Sequence, residues 1–190
     1  MDIDANVKSI DKLKDFYFVV PDYQREYVWK ADDQVEQFLF DIDSEYEPHV
    51  QTAKSYFIGS IIIVGRNGQF DVIDGQQRLT TIVLTLCALR DLLKQIALSD
   101  KQAQYFDILK QWLMDFDIHS DSTRVRLDLQ YDESRDFMVR LIHGESYEGE
   151  ETASIKRMHE AYDRIRAHFQ QVLDESLDAL VSYARYVLIP

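Results

Sequence analysis

The sequence predicts an α/β (α+β) domain with a small mixed sheet and a mostly helical C-terminal half. Three observations predict it. Two runs rich in β-branched and aromatic residues, 16–20 and 56–64, flank a helical pattern. A glycine-bearing turn signal joins the second run to a returning one. Past residue 95, apolar residues recur mainly at three- and four-residue spacing.

The elements follow in order. Ser9 to Asp15 reads as a short helical turn, and Phe16-Tyr17-Phe18-Val19-Val20 as a strand that Pro21 stops, since proline cannot donate to a sheet ladder. Asp22 to Lys30 is an aromatic-rich loop. Asp33 with Glu36 makes a capping-box signal, and Val35, Phe38, Leu39, Ile42 and Tyr46 follow at helical spacing up to Pro48. Tyr56 to Val64 is β-branched and almost continuous, which predicts a strand buried on both faces. Gly65-Arg66-Asn67-Gly68 turns the chain, Phe70 to Ile73 returns, and Asp74-Gly75 breaks the strand. Gln76 to Lys94 is a helix with so wide an apolar surface that sheet and helices must both cover it.

In the second half, Ser99 with Gln102 opens a helix carrying Ala103, Phe106, Leu109 and Leu113. Val125, Leu127 and Leu129 alternate with polar residues as one short half-buried strand. Glu133 to Ile142 is a helix, Gly144 to Glu151 an acidic loop, and Ile155 to Val172 a long amphipathic helix whose stripe is an internal packing face or a partner seam. Tyr186-Val187-Leu188-Ile189-Pro190 reads as a strand just beginning, so the chain is expected to be the front part of something longer. No internal repeat or Pro/Gly/Ser linker divides the 190 residues, so 96–190 is expected to be a helical extension of the domain formed by 1–95.

Composition excludes several classes of function. With 21 basic and 34 acidic side chains the formal charge is −13, and the deficit is shared: 10 against 16 in residues 1–95, 11 against 18 in residues 96–190. DNA affinity comes largely from Lys and Arg on phosphates, so this chain alone is not expected to grip DNA, though a small phosphate ligand needs only two or three cations. One cysteine, Cys87, rules out an internal disulfide and a cysteine zinc site. The scattered His49, His119, His143, His159 and His168 lack metal-ligand spacing. No apolar run approaches the roughly eighteen residues of a membrane span, and the acidic N-terminus is unlike a signal peptide, so a cytoplasmic location is expected.

Chemistry concentrates in two clusters. In Phe70 to Thr81 a strand runs through Asp74-Gly75 straight into a helix, whose first N–H groups lack internal partners and sit at the positive end of the dipole. Gly75 would allow close backbone approach to a phosphate, Arg78 adds a planar cationic fork, Asp74 could hold Mg²⁺, Gln76 or Gln77 could orient a water, and Thr80 and Thr81 add hydroxyls. Equally, Asp74 could cap the helix, Gly75 make the turn, and Arg78 pair with Asp74. There is no Walker A loop. The second cluster is Pro21-Asp22-Tyr23-Gln24-Arg25-Glu26-Tyr27-Val28-Trp29. Its rings and arginine could border a base and clamp phosphate, or pack over the core with Arg25 in a surface ion pair.

The wording, order and spacing of 21–29, of Phe57-Ile58-Gly59-Ser60-Ile61 and of Asp74-Gly75-Gln76-Gln77-Arg78-Leu79-Thr80-Thr81 resemble the N-terminal domain of GmrSD-type, modification-dependent restriction enzymes. That family resembles ParB and sulfiredoxin in fold, and its Asp-Gly-Gln-Gln-Arg motif corresponds to ParB's phosphate-binding turn. The resemblance implies a nucleotide-binding core over 1–95 and Mg²⁺-dependent hydrolysis of a nucleoside triphosphate that controls an attached nuclease in anti-phage defence. Carried onto this sequence, the catalytic candidates are Asp74, Gln76, Gln77 and Arg78. The ligand-binding candidates are Tyr23, Gln24, Arg25, Tyr27, Trp29, Gly75, Arg78, Thr80 and Thr81, and Asp74 is the metal candidate. Glu26 departs from a proline found in many relatives, adding negative charge beside the expected phosphates. The family's HNH-type nuclease motif is not found in these residues, so DNA contact is expected only through missing parts or a nuclease subunit. The alternative is a nucleotide- or anion-binding module without turnover that docks on that nuclease.

Overall fold

The computed structural model describes residues 4–46, 57–118 and 121–188. Its elements are α1 (Ile10–Leu13), β1 (Phe18–Val20), α2 (Glu36–Glu45), β2 (Ile62–Arg66), β3 (Gln69–Asp74), α3 (Gln76–Leu93), α4 (Asp100–Leu113), β4 (Met114–Asp117), β5 (Ser122–Val125), β6 (Leu127–Leu129), α5 (Asp132–His143), α6 (Ala153–Glu175) and α7 (Leu177–Leu188). The predicted class holds: a small mixed sheet with a mostly helical second half. Strands run in the order β2-β3-β1-β6, and β4 with β5 forms a separate two-stranded ribbon. β1 is parallel to both neighbours, with Phe18 opposite Phe70 on β3 and Leu127 on β6. The fourth strand of the sheet thus comes from the second half of the chain, and one continuous core joins Phe18 and Val72 of the sheet to Leu84 of α3, Trp112 of α4 and Phe169 of α6.

The hairpin forms where its turn residues put it. Asn67 and Gly68 both have positive φ, 51° and 77°, as a tight turn matched to strand twist requires, and Val64 pairs with Asp71 across the antiparallel ladder. The expected burial of its first strand is corrected. β2 begins only at Ile62, lies on the sheet edge, and leaves Ile62 52% exposed; Tyr56 lies outside the described residues. The strand buried on both faces is β1, which has a neighbour on each side. A β-branched run fits either position, and what covers the faces of the sheet decides between them: β3 also has a strand on each side but is mostly half-buried or exposed.

α3 is the central helix, with 15 of its 18 residues buried and α4 and α6 packed along it. Its Arg90 reaches across to donate to the Leu141 carbonyl at 2.8 Å and to the Ile142 carbonyl, satisfying the C-terminal turn of α5. The capping box at α4 forms as expected, Ser99 and Gln102 bonding each other's backbone N–H groups. The one expected at Asp33 does not. The chain enters α2 through a π-turn over Ala31–Val35, with Lys30 at its start and the Lys30 N–H donated to Gln34 Oε1 at 2.9 Å. Two further expectations are corrected. The alternating segment around Val125 to Leu129 is split between β5 and β6, which belong to different sheets. Tyr186 to Leu188, expected to start a strand, close α7, where Tyr183 and Tyr186 pack with Tyr46 beside α2; Ile189 and Pro190 lie outside the described residues. Among the described residues no helix is long and apolar enough to cross a membrane.

Candidate functional site

Three separate sequence blocks meet at the junction of β3 and α3. Gly75 is the first residue of the junction, in the left-handed region at φ 89°. A Cβ there would stand 2.9 Å from the Ser60 carbonyl oxygen and 3.1 Å from Ile61 Cα. Glycine is therefore demanded by the chain's own 60–61 backbone, whereas the sequence assigns that close approach to a phosphate. Gly59, with φ 119°, is pressed by Arg78: a Cβ on it would lie 2.6 Å from Arg78 Cζ. Arg78 Nη1 donates to the Ser60 carbonyl at 3.0 Å, so the guanidinium is placed by the 57–61 block and not by Asp74.

The 21–29 loop is fastened to the same place by the side-chain amides of Gln77 and Gln24. Gln77 Oε1 accepts from the Val28 N–H at 2.8 Å, and Gln77 Nε2 donates to the Glu26 carbonyl at 2.9 Å. From the other side Gln24 Nε2 donates to the Ile73 carbonyl at 3.1 Å, just before Asp74, and Tyr131 of the β6–α5 turn donates its hydroxyl to the Gln24 carbonyl. Deeper, the Tyr27 and Thr81 hydroxyls are 2.9 Å apart, Thr81 Oγ1 donates to the Gln77 carbonyl, and the Tyr27 N–H donates to Ser154 Oγ at 3.2 Å. Burial pushes the Tyr27 phenol above its ordinary range, the Thr81 bond offsetting part of the rise.

The expected site residues therefore divide into two sets. Gln77, Tyr27, Thr80 and Thr81 are buried, so they do not border a ligand on the surface; three of them hold the loop and the helix start together, and Thr80 lines the interior. Asp74, Arg25 and Tyr23 are exposed, and Gln76, Arg78, Gln24 and Trp29 are half-buried. Asp74 does not cap α3, since no side chain caps it, and Arg25 makes no ion pair or hydrogen bond among the described residues. Around the junction the chain thus offers a helix start, the Asp74 carboxylate, the Gln76 amide with no hydrogen bond among the described residues, and the Arg25 and Arg78 guanidinium groups, of which only Arg78 is held by a hydrogen bond. Such a set suits an anion carrying a divalent cation.

Sequence reasoning missed the partners that set this geometry. Ser60 and Gly59 were legible only as glycine-serine in a conspicuous block, with no sign of what they touch. A groove of about 280 Å³ also opens beside Arg78, walled by Trp29, Ile58 and the Asp33–Asp41 side of α2; no motif spacing announces it. Among the described residues no three His, Cys, Asp or Glu side chains are grouped to hold a metal ion.

The fold and junction thus define a mixed α/β domain with a strand–glycine–helix turn latched by two flanking loops. The chain belongs to the family of the GmrSD restriction endonuclease N-terminal domain, whose model matches residues 6–188. That membership sets it in DNA restriction and phage defence. No curated protein matches the chain.

Proposed function

We propose that this domain binds a nucleoside triphosphate with Mg²⁺ at the start of α3 and hydrolyses it, so that nucleotide state regulates a nuclease domain or subunit. The observation that carries the reading is the latch itself. Gln24, Gln77 and Arg78 join three blocks at one helix start, while Asp74 and Arg25 are exposed and Gln76 is half-buried.

The roles follow from placement. The first N–H groups of α3 and the Arg78 guanidinium would receive phosphate oxygens, with one of Arg78's five N–H donors committed to Ser60 and the rest free to move onto an anion. Arg25, exposed on the fastened loop, would close from the other side. Gln76 would orient the attacking water, because the Gln77 amide is bonded at both ends. A single carboxylate beside a helix start fits Mg²⁺, which is commonly held by one or two carboxylates together with phosphates, and Asp74 would be that ligand. Bound there, the ion would neutralise charge on the phosphate oxygens. Positioning and charge stabilisation are the main requirements of phosphoryl transfer, and no covalent group is needed from the protein.

The burial of Gln77 also favours a second reading, in which the ligand is held without turnover, because only Gln76 of the amide pair can meet a water. Titration with ATP, GTP, CTP and UTP in Mg²⁺, with Arg78→Ala and Arg25→Ala as controls, tests binding; phosphate release over many turnovers then separates an enzyme from a switch. Binding unchanged in both variants would overturn the site. A net charge of −13 makes direct DNA cleavage by this chain the poorest reading.

A further inference from the structure

We infer that the groove beside Arg78 is a nucleobase pocket that selects guanine; the inference rests on the nucleotide reading above and names the ligand class of that site. The groove measures about 280 Å³, at the lower limit of ligand cavities, roughly 300–1,000 Å³. A groove of this size has room for one base, with sugar and phosphates lying beyond its open side. Its position suits a base. Arg78 stands in its wall and also at the start of α3, so a nucleotide whose phosphates lie at that helix start can reach the groove with its base.

The lining supplies both requirements of base recognition. Trp29, Phe38 and Ile58 give it apolar and aromatic walls on which a flat ring can lie. Asp33 of the π-turn and Gln37 and Asp41 of α2 line the same groove. Each carboxylate accepts from a neighbouring amide through one oxygen only, Asp33 Oδ2 from Gln34 at 2.5 Å and Asp41 Oδ1 from Gln37 at 2.6 Å. The second oxygens face no bonded donor among the described residues. The polar wall is thus rich in acceptors, and its complement is a ligand edge rich in donors. A cationic side chain would meet the Arg78 guanidinium in the same wall. A neutral base avoids that conflict, and guanine alone among the common bases offers two adjacent donors, the ring N1–H and the 2-amino group, which one carboxylate can accept together.

The test is competitive binding to the intact chain in Mg²⁺, with guanosine, inosine, xanthosine, adenosine and uridine triphosphates and inorganic triphosphate as probes, repeated on Asp33→Asn and Asp41→Asn. Asp33 is exposed on the π-turn and Asp41 half-buried on α2, and circular dichroism checks that both variants fold. The expected result is guanosine triphosphate bound about tenfold or more tightly than inosine triphosphate, which lacks the 2-amino group. In one of the two variants that preference is lost and xanthosine triphosphate gains, since an amide N–H can donate to the xanthine oxygen. Equal binding of all the nucleotides, or a guanine preference intact in both variants, overturns the inference. Inorganic triphosphate binding as well as guanosine triphosphate overturns it while leaving the phosphate site standing. No binding of either overturns both.

Discussion

The guanidinium of Arg78 lies so close against Gly59 that a Cβ at residue 59 would stand 2.6 Å from its central carbon. Gly59 also holds φ at 119°, a conformation that costs an L-residue about 1–3 kcal/mol. The two residues belong to different sequence blocks and determine each other. Gly59→Ala should lower stability by about that amount and move Arg78 off the Ser60 carbonyl. Thermal unfolding checks the first effect, and a nucleotide titration the second. An alanine variant with unchanged stability and unchanged affinity would show that the contact constrains nothing.

Neighbouring glutamines of one motif should give opposite phenotypes. Gln77 is buried and bonded to the Val28 N–H and the Glu26 carbonyl; Gln77→Ala leaves both without a partner and should cost about 1–3 kcal/mol, read as a shift of the urea midpoint. Gln76→Ala should leave that midpoint in place and lower phosphate release. Equal loss of stability in both variants contradicts the division.

Arg25→Ala separates binding from folding in the same way. The side chain is exposed and bonded to nothing among the described residues, so the unfolding midpoint should stay within about 0.5 kcal/mol of the parent. Nucleotide affinity should fall about tenfold or more, as expected for the loss of a charge-assisted bond. Calorimetric titration gives the affinity.

The helical half carries a pH-dependent contact away from the site. Asp43 of α2 accepts the Tyr183 hydroxyl, and His168 Nε2 lies 3.3 Å from the same carboxylate oxygen. Burial alone would raise the Asp43 carboxyl, but the nearby His168, the hydrogen bond from Tyr183 and the charge of Arg164 outweigh it and hold it below its ordinary value. A carboxyl depressed in the folded state contributes stability that is complete above its unfolded pKa of about 3.9 and is lost as pH falls through the folded value. Asp43→Asn should therefore be less stable than the parent at neutral pH, and the two should converge in acid. Urea midpoints measured across that range show whether the gap closes.

Cys87 should be chemically silent while the chain is folded. Burial pushes its thiol up to about 12, with Arg90 offsetting part of the rise, and thiolate is the reactive form. Ellman's reagent at mildly alkaline pH should label the native chain no faster than it unfolds, and the urea-unfolded chain at once. Rapid labelling of native protein would place the thiol at the surface.

Much of this molecule was legible in its residue order. Local signals depend on a few neighbouring side chains, and most were met locally: the Asn67-Gly68 turn, the Ser99–Gln102 box, the buried α3 and the break at Asp74-Gly75, though not the box at Asp33, which a π-turn replaces. The Gln24-Arg25 and Asp-Gly-Gln-Gln-Arg wording falls where three sequence blocks meet, and the family it resembles is the one whose model matches residues 6–188. What only the tertiary structure decided is how that wording is divided. Gln77 latches and Gln76 is free, although the two are adjacent and chemically identical, because successive helix positions are turned about 100° apart and one of them faces the 21–29 loop. For the same kind of reason β2 became an edge strand and β1 a buried one. A β-branched run states that it will be a strand, but its burial is set by its place in the sheet and by what covers its faces, and the sheet's pairings join residues as distant as Phe18 and Leu127.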